Sequence, residues 1–183
     1  MNDISKIILG TGSYATVKSG NTVSITGDGG NAWNYFGPAY KKLAPRLVTY
    51  LPYAEKLEEL KKIKNDLLKY KKYRKEIEDE YIESYYDIRL KDLDVYELLN
   101  TLKEKFGENI ILLCHEPVDE FCHRRLVADD IKLETGIYIP EISMDEDGTL
   151  KEFKPIDYTN RLQKIKKWKL LFLLMFTENS VCF

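Results

Sequence analysis

The stretch "IILLCHEPVDEFCHRRLVADDI", residues 110–131, changes character halfway along. Ile110 to Leu113 is wholly apolar and of strand length, the kind of run that a parallel sheet buries on both faces. From about Asp119 to Thr135 the apolar positions return at helical spacing, and Gly136 follows as a terminator. A buried strand that leads into a helix is part of a βα unit, so a parallel sheet is expected.

The surroundings agree with that reading. Ile4 to Leu9 is a short apolar run stopped by Gly10-Thr11-Gly12-Ser13, and Thr22 to Thr26 is a second candidate strand, ended by Gly27-Asp28-Gly29-Gly30. Leu93 to Phe106 has helical periodicity, with Asp92 or Asp94 as N-cap and Gly107 as terminator. Between Ala54 and about Tyr86, apolar and aromatic residues recur every three or four positions among dense lysines and glutamates, predicting one long helix or two shorter ones. The expected fold class is α/β, a small, mainly parallel sheet flanked by helices, with a charged helical insertion over residues 53–90. Residues 1–160 form one domain in this reading, and 161–183 a basic, then apolar, helical tail that either docks on the body or serves as an interfacial anchor or partner-binding segment.

Composition narrows function little. The 183 residues carry a net charge of -2, with 44% hydrophobic and 32% charged residues, so no global field draws the chain to nucleic acid or an anionic membrane. The apolar segment Leu170 to Phe176 is shorter than the roughly 20 residues that span a bilayer. The chain opens without a basic-apolar-small leader pattern, so its three cysteines read as reduced thiols and the cytoplasm is the expected compartment. The basic run around Tyr70 and Tyr73 is followed directly by acidic residues, which favours a solvated helix face over a nucleic-acid track.

In such sheets, ligands bind at the carboxyl ends of the strands, where the loops Gly10–Tyr14, Gly27–Asn31 and Cys114–Phe121 would meet. On a helix from Phe121, Arg124 falls in the apolar arc of Phe121, Val127, Ala128 and Ile131, and so demands a partner: Glu116 or Asp28, or else a ligand anion. Arg125 points elsewhere and is expected in solvent. Cys122 and His123 sit in the first helical turn, where the helix dipole lowers a thiol pKa. That makes Cys122 a candidate nucleophile with His123, His115 or Glu116 as proton carriers, although Cys122 also lines up with Leu126 and Leu133 as an inert packed residue. Glu116, before Pro117 at the strand end, is the stronger acid–base candidate. No metal site is expected. Seven residues separate Cys114 from Cys122, and each adjacent Cys-His pair would have to aim both side chains at one ion. Gly12, Ser13, Tyr14 and Asp28, with Cys114 and His115, complete the expected ligand-binding set.

"LLCHEPVDEFCHRRLVADDI" resembles the hallmark of the domain-of-unknown-function family 488, a cysteine and glutamate at a strand end followed by a Cys-His-Arg helix start. "GTGSYATVKSGNTVSIT" and "AYKKLAPRLVTYLPYAE" are similar to the first strands and the Lys-Leu-Ala-Pro segment of one branch of that family. The resemblance spans roughly residues 7–142, and is most specific at Cys114 to Ala128. It implies a Rossmann-like fold with Glu116, Cys122, His123 and Arg124 clustered at the strand ends, and it brings no established reaction. The arginine-containing loop that the branch carries after the second strand is replaced here by Gly27-Asp28-Gly29-Gly30.

The function expected from these residues is binding of a phosphate-bearing ligand, a nucleotide or a nucleic-acid end, through Arg124, the helix N-terminus and the glycine loops. Glu116 would serve hydrolysis or group transfer at a glycosidic or phosphate-linked centre. The alternative is a non-catalytic protein or nucleic-acid interaction module in which the Glu-Arg cluster is structural; thiol chemistry at Cys122 is a third class. A second copy of the chain stays open as a partner, and no cofactor is specified.

Overall fold

The computed structural model describes residues 4–32 and 34–178. In chain order its elements are β1 (Ile8–Ser13), β2 (Asn21–Ser24), β3 (Asn31–Ala32), β4 (Tyr35–Phe36), α1 (Leu47–Lys62), α2 (Leu67–Tyr85), α3 (Val95–Phe106), β5 (Ile110–Cys114), α4 (His123–Thr135), β6 (Glu141–Met144), β7 (Leu150–Phe153) and α5 (Thr159–Glu178). Five strands form one sheet in the order β2-β5-β1-β6-β7, and β3 pairs with β4 separately. The first four strands of that order run parallel, and β7 folds back antiparallel on β6. This is the expected α/β architecture of Rossmann-like class, with helices flanking a mostly parallel sheet.

β5 lies between β1 and β2 and is buried along its whole length, which is why its sequence shows no polar alternation. Ile110 and Leu112 face the larger core cluster, with residues of α2, α3, α4 and α5, whereas Ile111 and Leu113 face a smaller one. The smaller cluster is closed by Tyr14, Val17, Met144 and Tyr35 rather than by helix residues.

The first strand is displaced from its expected span: Ile4–Lys6 is a short 3-10 turn, and β1 runs through Gly10 and Gly12 instead of stopping there. The glycines serve close packing in the sheet. A Cβ on Gly12 would meet Val17 Cγ2 at 2.5 Å and the Ile142 carbonyl at 2.9 Å. Gly12→Ala is therefore expected to cost about 1–3 kcal/mol by overpacking, read as a lower urea midpoint; an unchanged midpoint would refute that packing.

Helix ends follow sequence chemistry. Asp94 caps α3 by accepting from Glu97 N at 2.9 Å, and Gly107 (φ 83°) ends it. Asp66 caps α2 in the same way from Lys69 N. The segment expected as one or two helices is two, joined through Tyr53 and Tyr81 (ring centroids 4.9 Å) and a Thr49–Ser84 hydroxyl hydrogen bond of 2.8 Å. The basic half of α2 is mostly exposed, while Ile77, Tyr81, Ile82 and Tyr85 are buried, so this segment contributes core as well as charge. α4 begins at His123, four residues after the expected start at Asp119, which leaves Cys122 as its N-cap. The start of α5 docks on the body through buried Leu162, a Lys166–Asp130 ion pair of 2.7 Å and an Arg161–Glu78 pair of 3.2 Å. The apolar end expected for this tail, Leu170 to Phe176, lies, apart from Leu171, outside the residues whose side chains are described; Cys182 lies outside the described residues. Among the described residues, no helix is long and apolar enough to cross a membrane.

Candidate functional site

β1, β2 and β5 end at nearly one level, since Ser13 pairs with Cys114 and Ser24 with Leu113. A cleft of about 430 Å³ opens there, within the size range of small-molecule sites. One wall comes from the segment after β2, Thr26 to Asp28, and another from α1 and α2, with Leu47, Tyr50, Tyr53 and Tyr81. The floor holds Cys114, Glu116, Cys122 and His123. The described lining contains no lysine or arginine.

Consecutive residues leaving a strand point to opposite faces, and this divides Cys114 from His115. Cys114 shares the helix-side face of Ile110 and Leu112. His115 turns the other way, with Nε2 2.7 Å from Asp28 Oδ2 and its ring edge-on to Tyr14 at 4.8 Å. Two residues on, Glu116 comes back over Cys114, and the N-cap position brings Cys122 in from α4. Glu116 Oε2 lies 2.9 Å from both sulfurs. His123 Nδ1 lies 3.7 Å from Cys114 Sγ and 3.8 Å from Cys122 Sγ, while its Nε2 is 2.8 Å from the Ile25 carbonyl oxygen. A carbonyl only accepts, so Nε2 carries the proton and, in the neutral ring, the Nδ1 lone pair faces the sulfurs.

Burial and the neighbouring Cys122 push the Glu116 carboxyl up to about 7, against the pull of His123. Burial also drives the Cys114 thiol well above its ordinary range. Burial acts the same way on Cys122, but the hydrogen bond from Cys114 and the charges of Arg124 and His123 outweigh it and hold this thiol well below the ordinary range. His123 is raised because the Cys122 thiolate overcomes the opposing effect of burial.

Arg124 is 0% exposed, and the carboxylate it meets is neither of the expected ones. Its Nε and Nη2 lie 3.0 and 2.9 Å from Glu141 Oε1, while Nη1 and Nη2 donate to the Glu116 and Pro117 carbonyls, each at 2.8 Å. The expectation of a ligand-contacting arginine is corrected accordingly: with its donors taken up by the protein, Arg124 fixes the loop that carries Glu116 and is not part of the cleft lining. Arg125, expected in solvent, is 2% exposed because α4 is buried on all sides from His123 to Ile131. It donates to Thr11 Oγ1 at 2.7 Å and to the Ile139 carbonyl at 3.0 Å, and pairs with Asp129 at 3.4 Å.

Gly12, Ser13 and Tyr14 do not line the cleft, contrary to expectation. Their loop folds on itself: Tyr14 N donates to Cys114 O, Thr16 N and Val17 N donate to Ser13 O, and Ala15 N donates to Ser13 Oγ. These amides are not available as a phosphate cradle. The Tyr14 hydroxyl bonds Ser24 at 2.6 Å and Thr26 at 2.9 Å, and burial pushes its phenol up to about 12. Asp28, Cys114 and His115 do line the cleft.

No family model, curated protein or solved structure matches this chain. The cleft residues missed from sequence are mainly aromatic: Tyr50, Tyr53, Tyr81 and Phe121. Tyr53, Tyr81 and Phe121 form a mutual cluster with centroid separations of 4.9–5.4 Å. The count of 13 tyrosines was the available signal, and it carried no position.

Proposed function

We propose that the cleft binds the planar ring of a nucleobase- or nucleoside-like ligand, and that Glu116 is the proton carrier for hydrolysis or group transfer at its glycosidic centre. The observation that carries this reading is a carboxyl on the floor of an aromatic-walled cleft at the carboxyl ends of parallel strands. Aromatic side chains offer stacking surface to any base. The lack of lysine and arginine in the described lining favours recognition of the ring over recognition of a phosphate. The resemblance to family 488 at Cys114, Glu116, Cys122 and His123 is in keeping with a site on these residues.

The test is calorimetric titration with a panel of bases, nucleosides and nucleotides, followed by a search for cleavage of the ligands that bind. Tyr50→Ala, at an exposed wall position, should weaken binding about 5- to 150-fold, the loss of one stacked base. Glu116→Gln should retain binding and slow turnover about 10²- to 10⁴-fold. Absence of binding across the panel, or binding indifferent to Tyr50, would sink the proposal. The interaction-module reading draws on another observation: Leu47, Val48 and Leu51 of α1 are each at least half exposed. It predicts a partner whose binding survives Glu116→Gln but not charged substitutions at Val48 and Leu51.

A further inference from the structure

Cys114, Cys122 and His123 each bring one potential donor atom to the same place, and those atoms lie within 4.8 Å of one another. We propose that these three side chains bind a zinc-type divalent cation on the floor of the cleft, leaving a fourth position open beside Glu116.

The sulfur–nitrogen spacing is that of a tetrahedral site. Zn–S bonds of about 2.3 Å and Zn–N bonds of about 2.0–2.1 Å at tetrahedral angles require S···N edges of about 3.6 Å. The observed Sγ–Nδ1 separations are 3.7 and 3.8 Å, close to that edge, and the two sulfurs lie within 4.8 Å of each other, against a tetrahedral S···S edge of about 3.8 Å, so closing on an ion takes side-chain adjustment without rebuilding the backbone. Two sulfurs and an imidazole are a soft donor set that suits zinc and discriminates against magnesium and calcium.

The supporting shell is in place as well. His123 Nε2–H donates to the Ile25 carbonyl, which orients the ring and leaves Nδ1 as the metal-ligand atom. Cys114 is anchored by the interior strand β5, and Cys122 and His123 by the start of α4. Arg124 ties the intervening loop to Glu141 through the Glu116 and Pro117 carbonyls. Glu116 Oε2, 2.9 Å from both sulfurs, borders the remaining position, and the cleft gives that position access from outside. Three protein donors with one open position is the arrangement of catalytic rather than structural zinc.

This inference goes beyond the base-binding proposal and shares only its location. The full-length protein is stripped with chelator, kept reduced, and titrated with Co²⁺ and then Zn²⁺, with metal content measured after desalting. One Co²⁺ per chain is expected, with thiolate-to-cobalt charge-transfer absorption and tetrahedral d–d bands that Zn²⁺ displaces. Cys114→Ser and Cys122→Ser should each weaken uptake by more than about 100-fold, the upper end of what disturbing even an outer-shell partner costs. His115→Ala should leave it at one per chain. A folded, reduced wild-type protein that takes up no cobalt, or takes it up without thiolate bands, overturns the proposal whatever the variants do. A free dithiol or a Cys114–Cys122 disulfide would then be the state of the pair. Base titrations on the stripped and loaded forms separate the two readings, since metal uptake with no base binding removes only the ligand proposal, and base binding with no metal uptake removes only this one.

Discussion

Arg124→Met is expected to lower stability by about 3–5 kcal/mol, the cost of leaving one member of a buried ion pair alone. For a chain of this size that is a drop in Tm of about 6–20 °C. Glu141 is wholly buried, and although Thr11 Oγ1 still donates to it at 2.6 Å, the remaining cation, Arg125 Nη1, is 3.8 Å away. Arg124→Met/Glu141→Leu should recover most of the loss, because an apolar pair of similar volume needs no desolvation of charge. In that double variant Arg125 keeps Thr11, Ile139 and Asp129 as partners. The pH dependence of the single variant has a definite sign. Burial already raises the Glu141 carboxyl, with Arg124 opposing it, so removing Arg124 raises it further. A carboxyl with a folded pKa above its unfolded one binds more protons in the folded state between those two values, so stability falls as pH rises through that window. The defect should therefore be smaller in mild acid than at neutral pH, as measured by denaturant melts. A single variant as stable as wild type, or a double variant no better than the single one, would mean that the pair is not what anchors the loop.

How much of this could be read from residues alone depended on how local the cause was. β5, α3 and the Gly136 stop were legible because apolar runs, an Asp N-cap and left-handed glycines act within a few positions. Gly10 and Gly12 misled because the same residue that permits a turn also permits close packing, and only the presence of Ile142 and Val17 against them distinguishes the two. Arg124 was correctly turned inward from its place on the helical arc. Its partner, Glu141, lies 17 residues further on in a strand that no pattern announced. Arg125 was misassigned because helical periodicity describes one buried face, whereas α4 is enclosed by the sheet and α5 together. The Cys114–Glu116–Cys122–His123 cluster was half legible. Its residues were evident, but their convergence depends on strand alternation at Cys114 and on a helix start at His123 rather than Asp119. The aromatic wall was out of reach, since Tyr53 and Phe121 meet only after two helices fold over the sheet.

Tyr85→Ala tests that last point, and a loss of about 3–5 kcal/mol is expected, as for other large aromatic truncations in a core. Tyr85 is fully buried in α2, its ring nearly parallel to Tyr81 at 6.0 Å and 5.6 Å from the His123 ring. Its hydroxyl donates to the Leu43 carbonyl, which ties α2 to the segment that leads into α1. Tyr85→Phe removes that donor alone and should cost about 1–3 kcal/mol, the penalty of a buried carbonyl left unpaired. The difference between the two variants measures the packing contribution of the ring. If 53–90 were a charged appendage laid over a self-sufficient sheet, both variants would melt with the wild type. If the segment is part of the core, Tyr85→Ala should also weaken ligand binding and metal uptake, because the ring that backs His123 is gone, while Tyr85→Phe should leave both close to wild type. Urea melts of the two variants, with the cobalt spectrum of each, separate these outcomes.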